Sequence, residues 1–176
     1  HGPVPGTSAR ISRVYPLSTI SSDGRRIAIS GFLGNGHVVG APWGLIVFHI
    51  DEGSVHLVFQ GPSWCNVHPQ YCRSTDPDRS HDLLVQENHG NECDATGRCT
   101  RSVSGEGADI HVVRDDGSQF RNIPWGRDGN EFCQGHQCWR GRTRWAITST
   151  STRKPSECQL IEGRAAAHAG HVGIKT

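Results

Sequence analysis

The stretch ADIHVVRDDGSQFRNI, residues 108–123, decides the fold class of this chain. It contains two β-rich runs, and Asp115, Asp116 and Gly117 stand between them. An Asp-Gly pair between alternating runs is a strong signal for a β-hairpin. We therefore predict a hairpin over residues 108–123, with the Asp-Asp-Gly sequence at its tip.

A second stretch follows the same plan. LIVFHIDEGSVHLVF, residues 45–59, reads as a strand, an acidic turn with glycine, and another strand, and its Gly53 lies 64 residues before Gly117. SSDGRRIAIS, residues 21–30, adds an Asp-Gly turn followed by a strand, which is typical of a propeller blade. Propeller blades usually repeat every 40 to 50 residues or so, roughly one blade per repeat. The wider spacing here predicts long loops between the strands.

The remaining β-rich runs are short and separated by turn signals. They are RRIAISG (25–31), GLIVFHI (44–50), VHLVF (55–59), DLLVQE (82–87), RWAITST (144–150) and CQLIE (158–162). No window carries the apolar stripe of an amphipathic helix, so the fold is predicted to be all-β. Loops are expected at 60–81, 88–107 and 124–143, and loops longer than about 15 residues are usually functional or disordered. Because these loops hold six of the seven cysteines and much of the His and Trp, we favour function.

These features predict an incomplete β-propeller: one domain over 1–176, with about three blades, where a complete ring has roughly four to eight. An open arc of blades leaves sheet faces unpaired, so the isolated chain is expected to have low stability. The sequence contains no methionine, even at position 1, and it stops in an ordinary-looking segment. Both features favour a fragment of a longer protein.

Composition excludes several classes of function. The formal net charge is +1 and the basic residues are scattered, so neither a nucleic-acid partner nor a membrane surface is expected. No apolar run approaches the roughly 18 residues that span a bilayer. The chain also has no nucleophile elbow, P-loop or dinucleotide fingerprint. The sequence gives no basis for an oligomeric state.

The seven cysteines allow more than one interpretation. Their spacings are Cys65-x6-Cys72, Cys93-x5-Cys99 and Cys133-x4-Cys138, with Cys158 alone. None is a CxxC pair, so a structural zinc site is not expected. Local disulfides in an oxidising compartment and buried thiols both remain open, and the odd number leaves one thiol over. A disulfide-stapled extracellular module is a further, different interpretation of the chain.

Four stretches carry histidines that could act chemically. His68 precedes Pro69, which favours extended backbone at the histidine, and His89 follows a strand end beside Gly90. EFCQGHQCWRG, residues 131–141, combines an imidazole, amides, an indole and an arginine, which suit metal and carbohydrate. HAGHVG, residues 168–173, contains a histidine pair of which only one faces inward on an extended segment. Each histidine also fits the alternative of a packed or solvated loop residue.

Taken together, CNVHPQYC (65–72), QENHG (86–90), IHVVRDDGSQFRNI (110–123) and GHQCW (135–139) resemble the middle blades of the oligogalacturonate lyases. These are seven-bladed propellers, and the resemblance covers roughly residues 22–175. It implies metal-assisted β-elimination on short uronic-acid oligosaccharides. It also implies an acidic oligosaccharide as partner and Mn²⁺, or another divalent cation, as Lewis acid.

The resemblance also assigns roles to individual residues. His68 matches the family's active-site histidine and is the predicted catalytic residue. His136 matches the first metal-ligand histidine, and His171 is a second metal candidate; the family's other ligands lie in a later blade, so this site is incomplete within the chain. The predicted substrate-binding residues are His89, Trp139 and Arg140, with packing as the alternative role for Trp139.

One departure from the family pattern concerns an arginine. The family has a catalytic arginine at the start of a strand roughly 23 residues before the His-Pro motif, and the matching position here is Gly44. Proton transfer would then need another residue, such as Arg73 or Arg140. The alternative function is a non-catalytic propeller that binds sugar acids or protein partners and has lost the catalytic arginine.

Overall fold

The computed structural model describes residues 3–5, 7–101, 107–123, 132–143, 145–151 and 172–173. These residues form thirteen β-strands and one short 3-10 turn, Pro62–Trp64. The strands are β1 (Arg13–Ile20), β2 (Arg26–Phe32), β3 (Trp43–His49), β4 (Ser54–Gly61), β5 (Gln70–Tyr71), β6 (Asp82–Asn88), β7 (Glu92–Cys93), β8 (Cys99–Arg101), β9 (Ala108–Arg114), β10 (Arg121–Asn122), β11 (Phe132–Trp139), β12 (Trp145–Ser151) and β13 (Val172–Gly173).

The strands form three sheets that follow one another along the chain. Their strand orders are β1-β2-β3-β4, β10-β9-β6-β5 and β11-β12-β13. Neighbouring strands are antiparallel throughout these sheets. β7 and β8 pair with each other as a separate hairpin inserted between β6 and β9. The predicted all-β fold, with about three blades, is confirmed.

The hairpin predicted over 108–123 is formed by β9 and β10, with Arg121 opposite Val112. Its turn is closed by the amide of Arg114, which donates to the carbonyl of Ser118 at 3.0 Å. Gly117 has a φ of 85°, in the left-handed region where glycine is favoured. A Cβ there would lie 3.0 Å from the carbonyl oxygen of Val58, so the turn also packs against the first sheet.

Two of the eight-residue strands, β1 and β11, were not predicted, and neither were the two- and three-residue strands β5, β7, β8 and β13. β1 contains Pro16 and polar residues, and its register shifts between Val14 and Ser18. β11 lies within the predicted loop 124–143, and that part of the loop prediction is wrong. Its sequence, FCQGHQCW, has little of the alternating apolar pattern of a strand. Pairing with β12 imposes the extended form, with register shifts on both sides of Gly135. The run CQLIE at 158–162 lies outside the described residues.

The second sheet is covered on both faces, which explains the continuous burial of β6 and β9. Toward the first sheet, Leu83, Val85 and Val113 pack in a core with residues of β2 and β3. Toward the third sheet, Leu84 and Val112 pack in a second core that also contains Trp139. Full burial of each such aliphatic side chain stabilises the fold by about 1.5–3 kcal/mol.

A buried ion pair also joins the first two sheets. Arg26 on β2 lies 3.2 Å from a carboxylate oxygen of Asp115, and both side chains are about 95% buried, being 6% and 5% exposed. Tyr71 donates its hydroxyl to Asp115 at 3.3 Å. Burial, followed by the charge of Asp115, raises the pKa of Tyr71, so the phenol remains a hydrogen-bond donor.

The first strands of the three sheets converge. The amide of Tyr71 on β5 donates to the hydroxyl of Thr19 on β1 at 3.1 Å. The indole N–H of Trp139 on β11 donates to the carbonyl of Gln70 on β5 at 2.8 Å. Residues just before or within these strands are therefore brought together from different sheets. Over the described residues, no helix has the length and apolar character needed to cross a membrane.

Candidate functional site

His68 and His136 meet where the second and third sheets approach each other. Their ring centroids are 5.6 Å apart and the rings are nearly perpendicular, at 80°. His68 lies just before β5, and His136 lies within β11 at its register shift. The structure thus brings together two residues that the resemblance assigned to one site.

The backbone at this site is unusual. Among the described residues, four that are not glycine have positive φ, and three of them are Asn66 (63°), His68 (46°) and His136 (55°). The extended backbone predicted for His68 from Pro69 is therefore wrong. The left-handed region costs an ordinary side chain roughly 1–2 kcal/mol. Such strain collects at functional sites, where the surrounding structure enforces it.

Hydrogen bonds to four successive backbone carbonyls, those of residues 65–68, hold the backbone in this conformation. The side-chain amide of Asn88 donates to the carbonyls of Cys65 and Asn66, at 2.7 and 2.9 Å. The backbone amide of Gln86 donates to the next carbonyl at 2.8 Å. The side-chain amide of Gln137 donates to the carbonyl of His68 at 3.0 Å. The 65–68 loop is therefore rigid, and β6 and β11 fix the position of His68.

Three buried amide oxygens belong to residues that adjoin these histidines: Asn66 and Gln137 are close to them along the chain, and the Gln86 side chain lies against Gly135. Asn66 Oδ1, Gln86 Oε1 and Gln137 Oε1 are buried and have no hydrogen-bond partner among the described residues. A buried polar atom left without a partner costs about 1–3 kcal/mol. Imidazole nitrogens with amide oxygens are a donor set that suits a divalent cation such as Mn²⁺ or Zn²⁺. The described residues of the site therefore fit a cation in the kind of donor they offer.

The two imidazoles differ in environment. Burial, and secondarily the neighbouring His136, lowers the pKa of His68. His68 is therefore neutral at physiological pH and able to accept a proton. His136 is exposed and open to a ligand from solvent.

A second cluster lies on the opposite face of the second sheet. Glu87 and Asp109 are register partners on β6 and β9, and with His111 they bring ligand atoms within 4.8 Å of one another. His111 Nε2 is 3.3 Å from Glu87 Oε2, and its Nδ1 donates to the amide oxygen of Asn122 at 2.9 Å. These residues were not predicted from the sequence, because their proximity depends on the register of β6 and β9, two strands that are 20 residues apart along the chain.

His89 belongs to this second cluster. Its Nε2 lies 2.7 Å from Asp109 Oδ2 and 3.8 Å from Glu87 Oε2. Burial tends to raise the pKa of Glu87, but hydrogen bonds from His111 and Ser63 and the charge of His89 outweigh burial and lower it. The carboxylate is therefore ionised, and the cluster is a second arrangement of N and O donors suited to a hard cation.

The other predicted site residues fall in different environments. Trp139 is 8% exposed, and its indole N–H donates to the carbonyl of Gln70 inside the fold. Its side chain therefore packs in the core, as in the alternative role given to it above. Arg140 is exposed in the turn after β11, where its carbonyl accepts from Thr143 at 2.7 Å. His171 lies outside the described residues. Gly44 is buried in β3, and a Cβ there would lie 2.7 Å from Leu57 Cδ1, so the position has no room for an arginine.

Three successive antiparallel sheets with converging first strands define part of a β-propeller. The solved structures similar to it include two oligogalacturonate lyases. An oligogalacturonate lyase in complex with manganese has a TM-score of 0.55 and 13% sequence identity, covering 78% of this chain and 35% of that chain. The oligogalacturonate lyase of Vibrio parahaemolyticus has a TM-score of 0.54 and 15% identity, with the same coverage of 78% and 35%.

These likenesses establish the fold, and the propeller architecture predicted from the sequence is confirmed. This chain spans about a third of the length of each of those two proteins, 35%. No protein-family model matches the chain, and no curated protein matches it either.

Proposed function

We propose that this chain forms part of an oligogalacturonate lyase-like propeller. The proposed activity is metal-assisted β-elimination on short uronic-acid oligosaccharides. The observation that carries the proposal is the pairing of His68 with His136 at the convergence of the blades, 5.6 Å between ring centroids. The likeness in fold to two oligogalacturonate lyases, one of them in complex with manganese, supports the substrate class and the cation.

In this proposal His68 is the general base. The proton to be removed lies on C5 of the uronate, and a base in its neutral form is required to accept it. The lowered pKa of His68 favours that form. The rigid 65–68 loop holds the imidazole in one position, which reduces the entropy lost on reaching the transition state. As the proton passes from C5 to His68, the C4–O bond breaks, a C4=C5 double bond forms, and the leaving oxygen takes a proton from solvent to become a hydroxyl.

His136 would hold the cation, with the buried amide oxygens of Gln137 and Asn66 close by. A bound divalent cation would neutralise the uronate carboxylate and so make the C5 proton more acidic. The exposed position of His136 leaves room for this carboxylate to approach from solvent. Arg140 is also exposed and lies four residues after His136. It is the predicted substrate-binding residue that could pair with a second carboxylate of the oligosaccharide.

The second candidate function is binding of sugar acids without chemistry. The packing around Gly44 favours it, because Leu57 and the carbonyl of Phe59 fill the place where the family's arginine would begin. If that arginine is required to complete the proton transfer, His68 alone would leave a site that binds an acidic oligosaccharide and releases it unchanged.

The test uses the full chain with a short oligogalacturonide and Mn²⁺. The variants are His68→Asn and His136→Asn, because asparagine tolerates the positive φ of both positions, with the exposed His56→Asn as control. Calorimetry should show loss of Mn²⁺ binding only in His136→Asn. The ultraviolet absorbance of an unsaturated product should disappear in both site variants and persist in the control.

The outcomes separate the two functions. Product formation that needs both histidines supports the lyase. Sugar binding without product, in the presence of Mn²⁺, supports the binding function. Mn²⁺ binding that survives His136→Asn, or the absence of any sugar binding, would overturn the assignment of this site.

A further inference from the structure

Three cysteines from two separate segments meet in one place. The sulfur atoms of Cys65, Cys93 and Cys99 all lie within 4.8 Å of one another. Cys65 directly follows the 3-10 turn, whereas Cys93 and Cys99 are register partners in the β7–β8 hairpin. Cys65 is 1% exposed, Cys93 is half-buried and Cys99 is exposed, so the group extends from the core to the surface. We refer to these residues as the three-thiol cluster.

The hairpin that carries two of the thiols is held rigidly. Asp94 Oδ1 accepts from the amides of Thr96 and Arg98, at 2.9 and 3.0 Å, and so fixes the turn. Gly97 packs so closely on the first sheet that a Cβ there would lie 2.5 Å from the ring of Phe32. The cysteine sulfurs are therefore placed by the packing of the hairpin and not by bonds to one another.

The third thiol is fixed just as firmly. The carbonyl of Cys65 accepts from the side chain of Asn88 at 2.7 Å, as part of the rigid 65–68 loop. Burial, followed by the neighbouring Cys93, raises the pKa of the Cys65 thiol well above its usual range. A cation bound among the sulfurs would offset both effects, because it stabilises the thiolate directly.

We propose that Cys65, Cys93 and Cys99 form a site for one Zn²⁺ ion, with a water molecule at the fourth position on the exposed side of Cys99. Thiolates bind Zn²⁺ at about 2.3 Å in tetrahedral geometry, which puts the sulfurs roughly 3.8 Å apart. The three sulfurs here lie within 4.8 Å of one another, so small side-chain movements would bring them to that spacing. A disulfide needs about 2.05 Å between two sulfurs and would leave the third thiol unused.

The proposed site is independent of the function assigned to His68 and His136. CxxC spacing is absent because the first ligand comes from the link between two sheets and the other two from an inserted hairpin. Bound Zn²⁺ would join this hairpin to the 65–68 loop. It would thereby strengthen the connection between the first and second sheets, because the 65–68 loop links them along the chain.

The test is made on the full chain, purified under reducing conditions without chelator. Elemental analysis should find one Zn²⁺ per chain. Titration of the metal-free protein with Co²⁺ should give the thiolate-to-cobalt charge-transfer bands of a sulfur-rich tetrahedral site. Cys99→Ser should lower metal affinity at least about tenfold, consistent with loss of a ligand. Cys138→Ser, which removes another exposed thiol, should leave the affinity unchanged.

Other results would overturn the proposal. Absence of thiolate–cobalt bands in the reduced protein would exclude the site, as would an equal loss of affinity in Cys138→Ser. A disulfide between any two of the three cysteines, found by mass spectrometry in a protein that binds no Zn²⁺ after reduction, would identify a redox link instead. Circular dichroism of Cys99→Ser, expected to match the parent protein, excludes misfolding as the cause of lost binding.

Discussion

Replacing Gly135 by alanine should destabilise the chain more than replacing Gly141, although both have positive φ, 84° and 58°. Alanine in the left-handed region costs roughly 1–2 kcal/mol at either position. At Gly141 a Cβ would meet nothing within 4 Å. At Gly135 a Cβ would lie 2.5 Å from Cδ and 2.7 Å from Nε2 of Gln86, so this amide must move.

The movement has a cost because Gln86 is 3% exposed and donates its amide to Asn88. Losing that hydrogen bond in a buried place costs about 1–3 kcal/mol. We therefore expect Gly135→Ala to lower the free energy of unfolding by about 1–3 kcal/mol more than Gly141→Ala does. Typical domains have only about 5–15 kcal/mol in total, so the difference is large enough to measure.

The assay is equilibrium urea unfolding, followed by tryptophan fluorescence, with equal m-values for the two variants as a check on two-state behaviour. Gln86→Ala removes the colliding amide, so adding Gly135→Ala to it should cost no more than Gly141→Ala does. A double-mutant cycle would then isolate the contact between β6 and β11. Equal destabilisation by Gly135→Ala and Gly141→Ala would refute this contact, and with it the placement of His136 beside His68.

Three further predictions concern single side chains. The pKa of His68 is lowered from its ordinary 6.5, so the folded protein binds a proton at His68 less readily than the unfolded chain does. The free energy of unfolding should therefore fall as the pH drops from about 6.5 toward the lowered pKa. Urea midpoints measured over this pH range should show the decline in the parent protein and not in His68→Asn. Arg26→Ala should cost about 3–5 kcal/mol, since it leaves Asp115 buried without its cation. The exposed pair of Arg25 should contribute under about 1 kcal/mol, so an equal loss in Arg25→Ala by urea unfolding would contradict the burial argument. Trp139→Phe keeps the packing but removes the indole donor, and should cost about 1 kcal/mol by thermal or urea unfolding; no loss at all would count against that hydrogen bond.

Local signals account for the parts of the fold that the sequence predicted well. The Asp-Gly turn at 116–117 specifies the β9–β10 hairpin because glycine supplies the positive φ of its turn, 85°. β11 was missed because its Cys, Gln and Gly residues carry little strand preference. Its extended form comes from pairing with β12, which is a non-local effect.

The candidate site was predictable only in part, for the same physical reason. The pairing of His68 with His136 came from a family resemblance, since nothing local relates two positions 68 residues apart. Glu87 and Asp109 meet through strand register, and a one-residue slip would separate them to opposite faces. The three thiols depend on how an inserted hairpin folds back on the first sheet, and their spacing along the chain does not reveal this.

Under the proposed function, the positive φ of His68 and His136 places stability and activity in opposition at these two positions. Glycine would adopt either conformation without steric cost, so it would relieve strain while removing the imidazole. Selection for persistence of the fold would drive both positions toward glycine or asparagine, and only selection on the chemistry of the imidazoles would keep histidine. A record of substitutions at these two positions across related chains would therefore show which members of the lineage still use the site.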